Sequence, residues 1–156
     1  MKEQTRLRLN SLSNRYAKRL AATSSEGDDA VARAKRFLDG FVQVRSNVLL
    51  VVMKEIGDEL ARGGHGFRVD LDADGIRPNI ELHLRIKGAL PDSKNVIRLF
   101  ARTDGPQRVC EVIAELELRR SPMELTRFQQ LEEMTPEVVE KMFVDAIEQV
   151  FACNGG

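Results

Sequence analysis

Three aspartates recur at alternate positions in Asp70-Leu71-Asp72-Ala73-Asp74-Gly75, and Glu81 stands at the twelfth place counted from Asp70. Carboxylates spaced this way can turn hard oxygen ligands toward one centre. A glycine permits the sharp turn between them, and a distal glutamate can close the shell, which is the ligand chemistry of a calcium site. His83 follows two residues after Glu81, so a carboxylate is at hand to orient its ring for general-base work. A second set is Glu115-Leu116-Glu117-Leu118-Arg119, with Pro91-Asp92 upstream. Carboxylates in that order could hold Mg²⁺ and activate a water.

The first set resembles the calcium loop of EF-hand proteins over twelve residues, and the resemblance implies Asp70, Asp72, Asp74 and Glu81 as ligands. It departs from that family at Arg77, where an apolar residue is preferred, and at Pro78. Its flanks also read as strands rather than helices. The alternative is a hairpin connection rich in turn-forming Asp and Gly. The second set loosely resembles the PD-(D/E)xK nuclease arrangement, with Arg119 in the place of the lysine. Arginine stays protonated and substitutes poorly there. The alternative is a solvated row of glutamates on the outer face of a strand. His65, in Gly63-Gly64-His65-Gly66, lies in a turn. No Walker loop, G-x-S-x-G elbow, H-E-x-x-H, C-x-x-C or dinucleotide glycine pattern is present. The expectation is no cofactor, with Ca²⁺ or Mg²⁺ as the alternative, and an assignment that leans away from an enzyme.

The elements that must carry these residues follow from periodicity. Residues 5–22 read as a short basic amphipathic helix, with Leu9, Leu12, Tyr16 and Leu20 at helical spacing and Arg6, Arg8, Arg15, Lys18 and Arg19 elsewhere. Thr23-Ser24-Ser25-Glu26-Gly27 predicts a hinge, and Asp28 or Asp29 a helix cap. Residues 29–62 then predict one long helix, ended by Gly63-Gly64. Within it Val48-Leu49-Leu50-Val51-Val52-Met53 is apolar on all sides and must be buried on all sides. Cover by a second copy is the simplest solution, so Phe41, Val48, Leu49, Leu50, Val51, Val52 and Met53 are the expected self-association interface. Cover by another helix, or a strand at 48–53, are the alternatives.

Strands are predicted at 67–71, 80–86, 95–102 and 108–118. Ile80, Leu82, Leu84 and Ile86 lie on one face and Glu81, His83, Arg85 and Lys87 on the other. On the last strand Cys110, Val112, Ala114, Leu116 and Leu118 point inward, and Val109, Glu111, Ile113, Glu115 and Glu117 outward. Residues 121–133 are ambiguous between helix and a fifth strand, with the weight on strand. Thr135-Pro136-Glu137 opens a final helix to about residue 151. The fold class is therefore α+β: an antiparallel sheet of four to five strands flanked by a long N-terminal helix and a C-terminal helix. The domains are a basic arm with hinge, 1–27, and a single α+β domain, 28–156.

With 42% hydrophobic and 31% charged residues, the chain has ordinary globular composition rather than that of a disordered segment. No apolar run approaches the ~20 residues that span a bilayer, and the start lacks the apolar region of a secretory signal. Cys110 and Cys153 read as free thiols of a reducing cytoplasm. The net charge of zero hides polarity. Residues 1–45 hold ten basic and five acidic residues, and residues 111–156 hold four and ten. Such polarity steers a basic surface toward an anionic partner, or pairs the two ends within the fold or across a dimer. The functional expectation is a non-enzymatic cytoplasmic interaction or assembly protein, adaptor- or chaperone-like by fold-level analogy, that self-associates and takes a protein partner. The alternatives are a nucleic-acid-associated accessory protein using Arg6, Arg8, Arg15, Lys18 and Arg19 as a basic arm, or a metal-dependent enzyme.

Overall fold

The computed structural model describes residues 2–73, 75–90, 93–105, 107–116 and 121–154, with the backbone alone for 22–26. Helix α1 runs Glu3–Val44, a π-helical turn follows at Arg45–Leu49, and α2 runs Leu50–Arg62. The strands are β1 (Gly66–Leu71), β2 (Asn79–Arg85), β3 (Val96–Arg102), β4 (Val109–Glu115) and β5 (Met123–Phe128); a short 3₁₀ turn, Leu131–Glu133, leads into α3 (Pro136–Cys153). The five strands form one antiparallel sheet in chain order, β1-β2-β3-β4-β5. The protein is thus α+β, with the sheet between a long N-terminal helix and a C-terminal helix in sequence. Among the described residues no helix is long and apolar enough to cross a membrane.

The contacts divide the chain into two compact units, residues 1–36 and 37–156. The first unit is helical, and its described side chains from 2–21 and 27–33 are exposed, Leu9, Leu12, Tyr16 and Leu20 among them. The hinge expected at Thr23–Gly27 does not form, since α1 continues through it. Once a helix is nucleated, each added residue gains a hydrogen bond, so a few weak formers need not stop it.

The second unit holds the core. Ile80, Leu82 and Leu84 of β2, Ile97, Leu99 and Ala101 of β3, and Cys110, Val112 and Ala114 of β4 share one sheet face. Against it pack Phe41, Leu49, Val52 and Met53 from the first helical run and Val139, Phe143, Ala146 and Val150 from α3. Four of the seven residues expected at a self-association interface lie in this core. Phe41, Leu49 and Met53 are fully buried inside the single chain and Val52 is nearly so; Val51 is exposed, with Val48 and Leu50 half-buried. The sheet and α3 cover one side of the apolar run and leave Val51 exposed. The strand alternative at 48–53 is not formed either: the Leu50 N–H donates to the Arg45 carbonyl, the i→i−5 bond of a π turn. Residues 121–133 resolve as strand β5 and then the 3₁₀ turn.

Local chemistry sets the ends. The His65 N–H donates to Leu60 O at 3.1 Å and the Gly64 N–H to Ala61 O at 3.0 Å, with Gly64 at φ 93°. This Schellman closure is why the helix stops at Arg62 and the chain turns into β1. At the other end Thr135 caps α3 by accepting from the Val138 N–H, with Pro136 at the first helical position.

Cys110 is fully enclosed, and burial, with a smaller contribution from the charge of Glu111, pushes its thiol up to about 12. Folding therefore keeps this thiol neutral while the unfolded chain ionises near pH 9, so its contribution to stability fades as pH rises from about 9 to about 12. In native protein at pH 8 a thiol reagent should label Cys153 alone, and both cysteines only after unfolding. Rapid native labelling of Cys110 would contradict the buried placement. Gly57 gives a second test. A mid-helix Gly→Ala change usually stabilises by about 1 kcal/mol. Here the added Cβ would run into the Phe67 ring. Gly57→Ala should instead destabilise by about 1–3 kcal/mol in chemical denaturation, as overpacking does.

Candidate functional site

Two surfaces of the second unit combine chemistry with a defined shape. One is a groove of about 710 Å³ between α2 and α3. Helical spacing builds it. Val52, Ile56 and Leu60 fall every fourth residue on α2, and Val144, Ile147 and Phe151 fall three and four apart on α3, so two apolar stripes face one trough. Carboxylates border the stripes: Glu55, Asp58 and Glu59 on α2, Glu140 and Glu148 on α3. The lining holds one basic residue, Arg62, and it pairs with Glu59. Five acidic groups against one basic group give the rim a net charge of −4. Val144 is 46% exposed, so hydrocarbon in this trough is open to a ligand. Sequence reading placed Val52 in a dimer interface and missed the groove. The signal was present in the Glu and Asp residues interleaved with apolar ones on both helices, but not in how two segments so distant in sequence face each other.

The second surface is the sheet face opposite the core. Its polar row is not simply solvated: Glu81 is 4% exposed and Glu111 8%. Long cross-strand neighbours explain this. Glu81 lies directly opposite Arg98, whose Nε–H donates to it, and Arg98 Nη1 also lies 3.3 Å from Glu115. Burial alone would lower the Arg98 pKa, but hydrogen bonding and charge from Glu81, then Glu115, raise it on balance. Arg102 bonds both Asp104 and Glu111 at 3.0 Å, and those bonds raise its pKa; the bond from Arg102 in turn lowers that of exposed Asp104. Arg77 lies 4.4 Å over the Phe100 ring and shields it on the same face.

Within this lattice Asp70, Glu81 and His83 meet, each offering an atom within 4.8 Å of the others. His83 Nε2 lies 2.9 Å from Glu81 Oε1 and 3.3 Å from Asp70 Oδ2, while its Nδ1 faces the Arg68 guanidinium at 3.5 Å. That arrangement suits the tautomer with hydrogen on Nε2. A histidine and two carboxylates are a donor set for a divalent transition metal. These carboxylates, however, already hold cations: Arg68 lies 3.1 Å from Asp70, and Arg98 bonds Glu81. Among these residues the charges balance as an ion-pair lattice, and a metal would have to displace guanidinium groups.

The structure divides the other expected ligands. Asp70 and Glu81 come together as opposite partners in the β1–β2 ladder. Asp72, at φ 53°, instead bonds Arg45 at 2.6 Å and accepts from the Asn79 N–H at 3.1 Å. The segment is therefore a hairpin connection flanked by strands, tied by Arg45 to the helical run, and not the helix-flanked loop of an EF-hand. Asp74 lies outside the described residues. So do Pro91, Asp92, Glu117 and Arg119 of the nuclease-like set, while Glu115 is engaged by Arg98. His65 donates no ligand geometry to this cluster; it packs edge-on against Phe151 at 5.1 Å and accepts from the Lys87 N–H. Arg6, Arg8, Arg15, Lys18 and Arg19 all lie on α1, with exposed side chains.

No family model matches the chain, and comparison with curated proteins and with solved structures gives no match.

The buried pair on the second face is open to test. Removing one partner of a buried pair leaves an uncompensated charge. Because Arg98 is partly exposed, Arg98→Met or Glu81→Gln alone should cost about 2 kcal/mol in urea unfolding. The double variant should cost less than the sum of the two. Strict additivity would mean that the two side chains do not hold each other.

Proposed function

We propose that this protein is a non-enzymatic interaction or assembly protein whose recognition surface is the α2–α3 groove, and that its partner presents an amphipathic basic helix. One observation carries this reading: a groove between α2 and α3 lined by apolar side chains together with five carboxylates. Hydrocarbon at the bottom of such a trough gains from being covered by apolar side chains spaced i, i+3, i+4 and i+7, which is how helix-in-groove recognition works. The carboxylates select for Lys or Arg flanking that stripe, speed the encounter and disfavour acidic competitors. The free thiols Cys110 and Cys153 support assignment to a reducing, cytoplasmic setting.

The test uses a designed Leu/Lys amphipathic helical peptide against the full chain, followed by fluorescence anisotropy. Binding should saturate, and should weaken several-fold as salt rises from about 0.05 to about 0.5 M. Val144→Glu should abolish it with little change in stability, since the position is exposed. An acidic amphipathic peptide should not bind. Equal binding of basic and acidic peptides, or binding indifferent to Val144→Glu, would refute the groove as a recognition surface.

A further inference from the structure

We infer that the occupant of the groove is the N-terminal segment of a second copy of this chain, residues 3–21 of α1, exchanged between two protomers. The inference rests on the groove reading above and names its partner. Three properties of the segment match the groove independently.

The first is chemistry. Leu9, Leu12, Tyr16 and Leu20 form one apolar stripe by helical spacing, and all four are more than half exposed. An isolated helix gains little stability in water from propensity alone and needs its apolar side covered. The groove is the complementary feature: on its floor Val144 is exposed and Ile56, Leu60 and Phe151 are half-buried, so hydrocarbon there is open to an apolar stripe.

Charge is the second. Residues 3–21 carry Arg6, Arg8, Arg15, Lys18 and Arg19 against Glu3 alone, a net charge of +4. The groove lining carries −4. The polarity extends to the whole units. Residues 1–36 hold nine basic and four acidic residues, so +5; residues 37–156 hold fifteen and twenty, so −5.

The third is length. From Leu9 to Leu20 the stripe is about 16 Å long at about 1.5 Å per residue. The lining runs from Val52 to Arg62 on α2 and from Glu140 to Phe151 on α3, which are about 15 and about 16 Å by the same measure. A single helix laid along the trough would cover it end to end. Reciprocal exchange closes the assembly at two copies, because each protomer then offers one segment and one groove.

The experiment is absolute mass by light scattering and sedimentation on the full chain and two variants, Leu12→Glu/Tyr16→Glu in the segment and Val144→Glu in the groove. All three sites are exposed, so the body should fold in each, and circular dichroism with urea unfolding verifies it. The unsubstituted chain should have about twice its 17.6 kDa mass, and each variant alone should dissociate at least about tenfold more readily. An equimolar mixture of the two variants should recover dimer, since one intact segment then meets one intact groove. Charge exchange should behave the same way: Arg15→Glu/Arg19→Glu and Glu140→Lys/Glu148→Lys each weaken association, and their combination in one chain restores it. A monomeric unsubstituted chain, a dimer indifferent to both variants, or no recovery in the mixture overturns the exchange. The designed basic peptide separates the two readings. If it binds the groove of a chain that is monomeric, recognition stands and self-exchange falls; if it fails to bind the segment variant, whose groove is empty and intact, both fall.

Discussion

Everything in the second unit depends on one constraint: a five-stranded meander must bury one face, and it has only helical segments from the two sides of the sheet in sequence with which to do so. Phe41, Leu49, Val52 and Met53 arrive before the sheet, and Val139, Phe143, Ala146 and Val150 after it. Meeting on the same strands, they make a single core. Two cylinders on a flat layer also leave a trough where their outer surfaces diverge, and the α2–α3 groove is that trough. Its apolar lining is the continuation of the core outward, and its acidic rim is where the helices turn to solvent.

Closing one face obliges the other to satisfy itself. Asp70 and Glu81 stand opposite each other in the ladder, a like-charge pairing that is unfavourable alone. Arg68, His83 and Arg98 surround the two carboxylates and reverse that sign. Because arginine stems are long and apolar, the guanidinium groups reach across while their methylenes cover the strand beneath. The result is a charged surface that excludes water from several of its own members, with Phe100 under Arg77 as its apolar counterpart.

The sheet was legible in the sequence because a half-buried strand writes its geometry at period two: Ile80, Leu82 and Leu84 against Glu81 and His83 leave one face assignment. The capped start of α3 and the glycine stop after α2 were legible because both are local chemistry. What failed was what no local pattern contains. Thr23–Gly27 looks like a break because Thr, Ser and Gly are weak helix formers, while the continuous backbone ladder of α1 is a cooperative property. The apolar run 48–53 demanded cover, but its cover comes partly from α3, more than eighty residues on. The Asp70–Glu81 motif named the right two residues for a cluster and the wrong geometry, since alternation along a hairpin places Asp72 beyond the ladder, with Arg45. The groove was invisible for the same reason as the cover: each acidic, apolar helix face can be read alone, and their juxtaposition cannot.

Spatial order equal to chain order has a kinetic meaning. Every strand pairs with its sequence neighbour, so the sheet can zip up one hairpin at a time with short loops to close. The long-range step is the arrival of α3 beside α2, across the whole sheet. The trough between those helices therefore exists only once segments from both sides of the sheet in sequence have met. A surface assembled at that step cannot be offered by a half-folded chain, so its appearance marks completion of the body itself.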